Sequence, residues 1–188
     1  LARMKTAHPS RENWRVRGKT LTCVDLGKSQ VGMLTFDHRL EGDFQVDLDF
    51  SLGQGDARAG LIFGDKGNNT YCKFLLMPHE DRFRYTFHRM HELQLIRTSS
   101  WGFPWETHKR GATHRLNLVK QGRTLLVKST FESGQTFYMQ WETEPGATDG
   151  LIGIDTANFS SAPCTLVIKK LAVTSPRPET LTTKVSLQ

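Results

Sequence analysis

Residues 43–52 read DFQVDLDFSL, a two-residue alternation held over the whole stretch. Phe44, Val46, Leu48, Phe50 and Leu52 fall on one side of an extended backbone, and Gln45, Asp47, Asp49 and Ser51 on the other. Successive side chains of a β-strand point to opposite faces, so one face of this strand packs and the other meets water. Antiparallel sheets have that two-sided character, whereas parallel sheets are apolar on both faces.

On either side of this stretch lie further short runs of the same kind, at residues 13–16, 20–25, 31–36, 58–63, 71–77, 83–88, 93–98, 113–120, 124–131, 136–141, 151–155 and 164–173. Turn residues separate them at the spacing of an all-β domain, among them Gly18-Lys19, Gly27-Lys28, Gly53-Gln54-Gly55, Ser133-Gly134 and Asp149-Gly150. Runs 113–120 and 124–131 flank Gln121-Gly122-Arg123 and read as a hairpin. No stretch has the apolar period of an amphipathic helix. Many strands without crossover helices close as a sandwich or a barrel. Segment 99–111, with Gly102 and Pro104, reads as a long loop.

The 188 residues suffice for one domain with its own core, supplied by eleven Phe and four Trp among others. Residues 1–11 are polar and residues 175–188 carry two prolines without an apolar period. Both read as tails or linkers, leaving 12–174 as the folded domain and giving the chain the look of a piece of something larger. No apolar run reaches membrane-spanning length. The net charge of +6 comes from 25 Lys and Arg against 19 Asp and Glu, with no basic block of the kind that forms a nucleic-acid arm. Cys23, Cys72 and Cys164 each sit in an apolar run, which suggests buried thiols rather than a zinc site.

A succession of motifs carries a resemblance: W-x-V-x-G-x-x-L from Trp14, G-x-F-x-V-x-L-x-F from Gly42, A-G-L-I-F-G from Ala59, H-R-L-N-L-V-x-x-G-x-x-L-x-V from His114 and G-x-I-G-I from Gly150. It resembles the concanavalin A-like lectin and glucanase jelly roll, and within that group laminin-G-like domains and the domains linked with 3-keto-disaccharide hydrolysis. The resemblance implies an all-β sandwich of two antiparallel sheets, one concave, with carbohydrate held on the concave face or the rim loops. It also favours an extracellular or periplasmic setting.

Several residue groups could carry chemistry. Asp47 and Asp49, two apart on one strand face, project about 7 Å from each other, near the separation an inverting glycosidase needs for its water. The retaining glucanases of this fold carry E-x-D-x-x-E where this chain has V-D-L-D-F, which weighs against their chemistry. Asp155 is a third candidate carboxylate. Trp101, Phe103 and Trp105 could stack on sugar rings, as could Tyr138 and Trp141, because an aromatic face attracts the apolar C–H face of a sugar. In Arg82 to Arg89, aromatic and basic residues alternate, so Arg84 and His88, with Arg97 nearby, could orient an acidic glycan. Asp65 and Asn68 in a glycine-bounded loop, and more weakly Asp155 and Asn158, offer oxygens to calcium. No other cofactor is implied: neither a phosphate-binding glycine loop nor a nucleophile elbow is present. A binding module of a larger protein with a carbohydrate ligand is therefore expected. The alternatives are a glycoside hydrolase using those carboxylates and a protein-interaction domain of the laminin-G type.

Overall fold

The computed structural model describes residues 14–26, 31–53, 57–67, 70–79, 82–91, 94–104, 111–158 and 164–174. Thirteen strands form two antiparallel sheets among them. The seven-stranded sheet runs in the order β1 (Trp14–Arg17), β2 (Thr20–Leu26), β13 (Cys164–Thr174), β4 (Phe44–Leu52), β9 (Thr113–Gln121), β10 (Thr124–Phe131), β11 (Thr136–Glu142). The six-stranded sheet runs β3 (Val31–Leu40), β12 (Gly150–Asn158), β5 (Ala57–Asp65), β6 (Tyr71–His79), β7 (Arg82–His91), β8 (Gln94–Pro104). Both proposed tails lie outside the described residues.

The alternation of 43–52 survives as the burial pattern of β4, with Phe44, Val46, Leu48 and Phe50 in the interior. The hairpin read from sequence is present: Thr124 pairs with Gln121, and Gly122 takes the left-handed backbone (φ 57°) that the turn needs. One apolar cluster fills the space between the sheets. Aromatic pairs join them, with Phe74 of β6 edge-on to Trp141 of β11 at 5.4 Å and Phe44 of β4 edge-on to Phe63 of β5 at 6.4 Å. His114 lies in the same interior, stacked on Phe50 at 5.3 Å. Cys23 and Cys72 are buried thiols, as their apolar settings suggest, while the side chain of Cys164 lies outside the described residues.

The interior is not wholly apolar. The Tyr85 hydroxyl of β7 and Ser129 Oγ of β10 share a hydrogen bond across the sandwich, and burial raises the Tyr85 pKa. A buried hydroxyl left without its partner costs about 1–3 kcal/mol. Tyr85→Phe is therefore expected to lower the urea unfolding free energy by that amount. The added change Ser129→Ala should cost less in the Tyr85→Phe background than in the wild type.

The segment read as a loop is part of a strand. β8 continues through Trp101 to Pro104, with Trp101 opposite Tyr85 and Phe103 opposite Phe83. Gly102 and Pro104 signal a break in most contexts, but β8 is an edge strand, and an edge tolerates a residue that cannot donate to the ladder.

Candidate functional site

Alternation buries one face of each strand and sends the other residues of the six-stranded sheet to its outer face. There β5 contributes Arg58, Gly60 and Ile62, β6 contributes Tyr71, Lys73, Leu75 and Met77, β7 contributes Thr86 and His88, and β12 contributes Asp155. Ile62 and Leu75 are fully buried yet belong to no core contact cluster, so the middle of this face is covered, while Arg58, Tyr71, Lys73, Met77 and His88 around it stay partly exposed.

The pairing register gathers polar groups at its centre. Asp155 stands opposite Gly60, Gly60 opposite Leu75, and Lys73 opposite both Ile62 and His88. Lys73 Nζ and Arg58 Nη2 each approach the same Asp155 oxygen, Oδ2, at 3.4 Å. Gly60 makes the convergence feasible. A Cβ there would come within 1.8 Å of the Phe74 carbonyl oxygen, so β5 and β6 approach too closely for any side chain beside Asp155.

Electrostatics set the protonation of this cluster. Burial lowers the Lys73 pKa, Asp155 opposes that, and Arg58 adds to it. Burial, then Lys73, then Arg58 hold His88 down at about 4. Burial and then Asp155 raise the Tyr71 hydroxyl. The His88 imidazole is therefore neutral at neutral pH.

His88 gives the fold an acid sensitivity of known sign. Its folded pKa lies below the ordinary 6.5, so between pH 6.5 and about 4 the unfolded chain takes up a proton that the folded chain refuses. Stability falls as pH falls through that window. The ring is partly exposed, and solvent screening reduces the effect to about 1 kcal/mol. His88→Gln is expected to reduce the wild-type fall in urea unfolding free energy between pH 6.5 and 4 by that amount.

The other candidate residues fall elsewhere. Asp47 and Asp49 point outward from the seven-stranded sheet, on the far side of the sandwich from Asp155, so the three carboxylates do not converge on one groove. Asp47 accepts from Asn117 Nδ2 at 2.7 Å and faces Lys170 Nζ at 3.6 Å, while Asp49 faces Arg115 at 3.9 Å. These are the contacts of a solvated strand face, worth little each. Tyr138 is on that same face and 75% exposed, with Lys128 Nζ 6.0 Å from its ring centroid.

Trp141 must be reassigned. It is 3% exposed and wedged between Phe74 and Phe87, so no sugar can stack on it. Asp65 Oδ1 accepts from the Gly67 amide at 2.9 Å, which closes its own turn. Asn158 is buried, and Asp155 Oδ2 faces Lys73 and Arg58. No group of three or more acidic, His or Cys side chains gathers among the described residues. Asn68 and Trp105 lie outside the described residues. So do the side chains of Arg84, Arg97, Trp101 and Phe103, whose backbones are in β7 and β8.

Arg58, Lys73 and Tyr71 went unremarked in the sequence, although each is the polar member of an alternating apolar run, ARAGLIF for Arg58 and YCKFLLM for the other two.

Two stacked antiparallel sheets in this order make a concanavalin A-like jelly roll, the architecture of lectins and carbohydrate-binding modules. Among solved structures, the chain is similar to a legume lectin-like domain from Entamoeba histolytica, with TM-score 0.70 and 9% identity over 94% of this chain and 90% of that one. It is similar to the carbohydrate-binding module CBM66 from Bacillus subtilis, with TM-score 0.66 and 12% identity over 92% and 95% of the two chains. It also matches 36% of the GH43 protein BlXynB from Bacillus licheniformis, with TM-score 0.65 and 11% identity over 90% of this chain. No protein family and no curated protein matches at the level of sequence.

Proposed function

We propose that the chain is a non-catalytic carbohydrate-binding module whose ligand docks on the outer face of the six-stranded sheet, at Asp155, Arg58, Lys73 and His88. The observation that carries this reading is an ionic cluster, nearly withdrawn from water, on a sheet face turned away from the core. Buried charges contribute little net stability against an apolar replacement, so their presence calls for a use other than packing. Perturbed titratable groups that cluster in this way mark functional sites.

The chemistry fits sugar hydroxyls, which both donate and accept. Lys73 and Arg58 donate, Asp155 accepts, and a neutral His88 can do either. The half-buried Tyr71 ring beside Lys73 adds an aromatic face. Lectins and a carbohydrate-binding module of the same fold support the class of ligand. The match to about a third of a GH43 protein supports a module joined to other domains. Hydrolysis by the common two-carboxylate route needs a converging pair, and Asp155 has cations for neighbours.

Calorimetric titration against a panel of neutral and acidic oligosaccharides tests the reading. At least one should bind, and Lys73→Met should weaken it about tenfold or more, the worth of one charge-assisted hydrogen bond. Lys128→Met, on the other sheet, should leave the affinity unchanged. Binding that Lys73→Met leaves intact, or no binding across the panel, refutes it.

A further inference from the structure

We infer that one oxygen of Asp155, Oδ1, anchors the ligand at this face by accepting a hydrogen bond from a free hydroxyl of the sugar. The inference rests on the binding reading above and names the ligand group that the site selects: a neutral donor, not an acceptor or an anion.

The distribution of contacts on the carboxylate carries it. An ionised carboxylate accepts through both oxygens, at about four lone-pair positions. Lys73 Nζ and Arg58 Nη2 both bear on Oδ2. Among the described residues, none bears on Oδ1. The Asp155 side chain is nevertheless only 3% exposed. Polar groups this deep are nearly always partnered, and an open one calls for an occupant. Oδ1 is not sealed off either. Trp14 Nε1 and Thr148 Oγ1 are buried side-chain atoms without a partner, and no atom of Asp155 is in that state. The little surface that the carboxylate keeps therefore includes Oδ1, and a molecule from solvent can reach it.

Strand register explains why no neighbouring side chain fills the place. Directly opposite Asp155 stand Gly60 on β5 and Met33 on β3. Gly60 brings no side chain, and a thioether has no proton to donate. The two residues best placed to close Oδ1 thus leave it open. A sugar hydroxyl that displaces water from the oxygen keeps the hydrogen bond. A ligand carboxylate or sulfate cannot, because two acceptors would face each other. Met33 is partly exposed, and its thioether gives the C–H face of the ring an apolar support beside the hydroxyl.

Fluorine in place of a hydroxyl keeps the size of the group and removes its proton. Cellobiose, mannobiose, galactobiose and xylobiose serve as parents in calorimetric titration, each with the analogues that carry fluorine at one hydroxyl position at a time. At least one parent should bind, and fluorination at one of its positions should cost about tenfold or more, the worth of a hydrogen bond to a charged acceptor. In Asp155→Asn the same replacement should cost about threefold or less, because the acceptor is neutral; circular dichroism verifies that the variant is folded. The wild type gives a second reading that needs no variant. The NMR resonance of the Asp155 carboxyl carbon should move on saturation with the parent and stay near its free position on saturation with the sensitive analogue.

A parent that tolerates fluorine at every position within about twofold would overturn this inference and leave the carbohydrate reading standing. A sensitive hydroxyl whose loss costs the same in Asp155→Asn, with the Asp155 resonance unmoved, would overturn it too, since the proton then goes to another acceptor. If all four parents fail to bind, the inference falls, and the wider oligosaccharide panel decides separately whether the binding reading falls with it.

Discussion

Asp155→Ala is expected to cost about 3–5 kcal/mol of folding free energy, because it strips the counter-ion from two cations that are largely buried. Domains of this kind are stable by only about 5–15 kcal/mol, so the variant should sit near the edge of folding at 37 °C. Urea denaturation with an unchanged m-value measures the loss cleanly. The informative companion replaces the whole cluster with apolar side chains of similar reach, Arg58→Met, Lys73→Met and Asp155→Leu together. That triple variant removes the unpaired charge along with the pair and should recover to within about 1 kcal/mol of the wild type. It should also bind no glycan. Recovery of stability without recovery of binding would separate what the cluster does for ligands from what it does for the fold. A triple variant as unstable as Asp155→Ala would make the cluster a structural device instead.

Trp141→Ala should destabilise by a similar amount for an unrelated reason. The indole fills the space between the sheets against Phe74 at 5.4 Å and Phe87 at 5.6 Å. Truncation to Ala loses the transfer free energy of the ring and leaves a cavity, together about 3–5 kcal/mol. Tyr138→Ala, three residues away and on the solvent side, should change stability by no more than about 0.5 kcal/mol. Thermal unfolding of the two variants side by side decides the assignment. Were Trp141 an exposed stacking residue, the two would behave alike.

That contrast was available in the sequence. Phe137, Met139 and Trp141 alternate with Tyr138 and Gln140, so Tyr138 and Trp141 cannot share a strand face. Reading both as ligand contacts followed residue type and overlooked period. Where period was followed, as in 43–52 and the hairpin around Gly122, faces and pairings match the structure. It also assigned Tyr85 and Phe87 to one face of β7 and His88 to the other.

Two things were out of reach for physical reasons. The strand through Trp101 and Phe103 contains Gly102 and Pro104, which deny a central strand but not an edge, and edge status is a property of the assembled sheet. The site itself is built from residues 58, 73, 88 and 155, on four strands. Alternation gives each its face but not its neighbour across the sheet. That depends on strand order and register, and a slip of one residue on β6 would turn Lys73 inward and Phe74 out. Asp155 drew attention as a lone carboxylate and His88 as one of the basic residues of 82–89; only the pairing shows that Lys73 lies between them.

Backbone amide shift mapping by NMR during titration with an oligosaccharide that binds addresses the binding face most directly. The largest shifts are expected at Arg58, Lys73, His88 and Asp155, on the outer face of the six-stranded sheet. Shifts concentrated instead around Asp47, Asn117, Lys128 and Tyr138 would move the binding face to the opposite sheet and contradict the assignment.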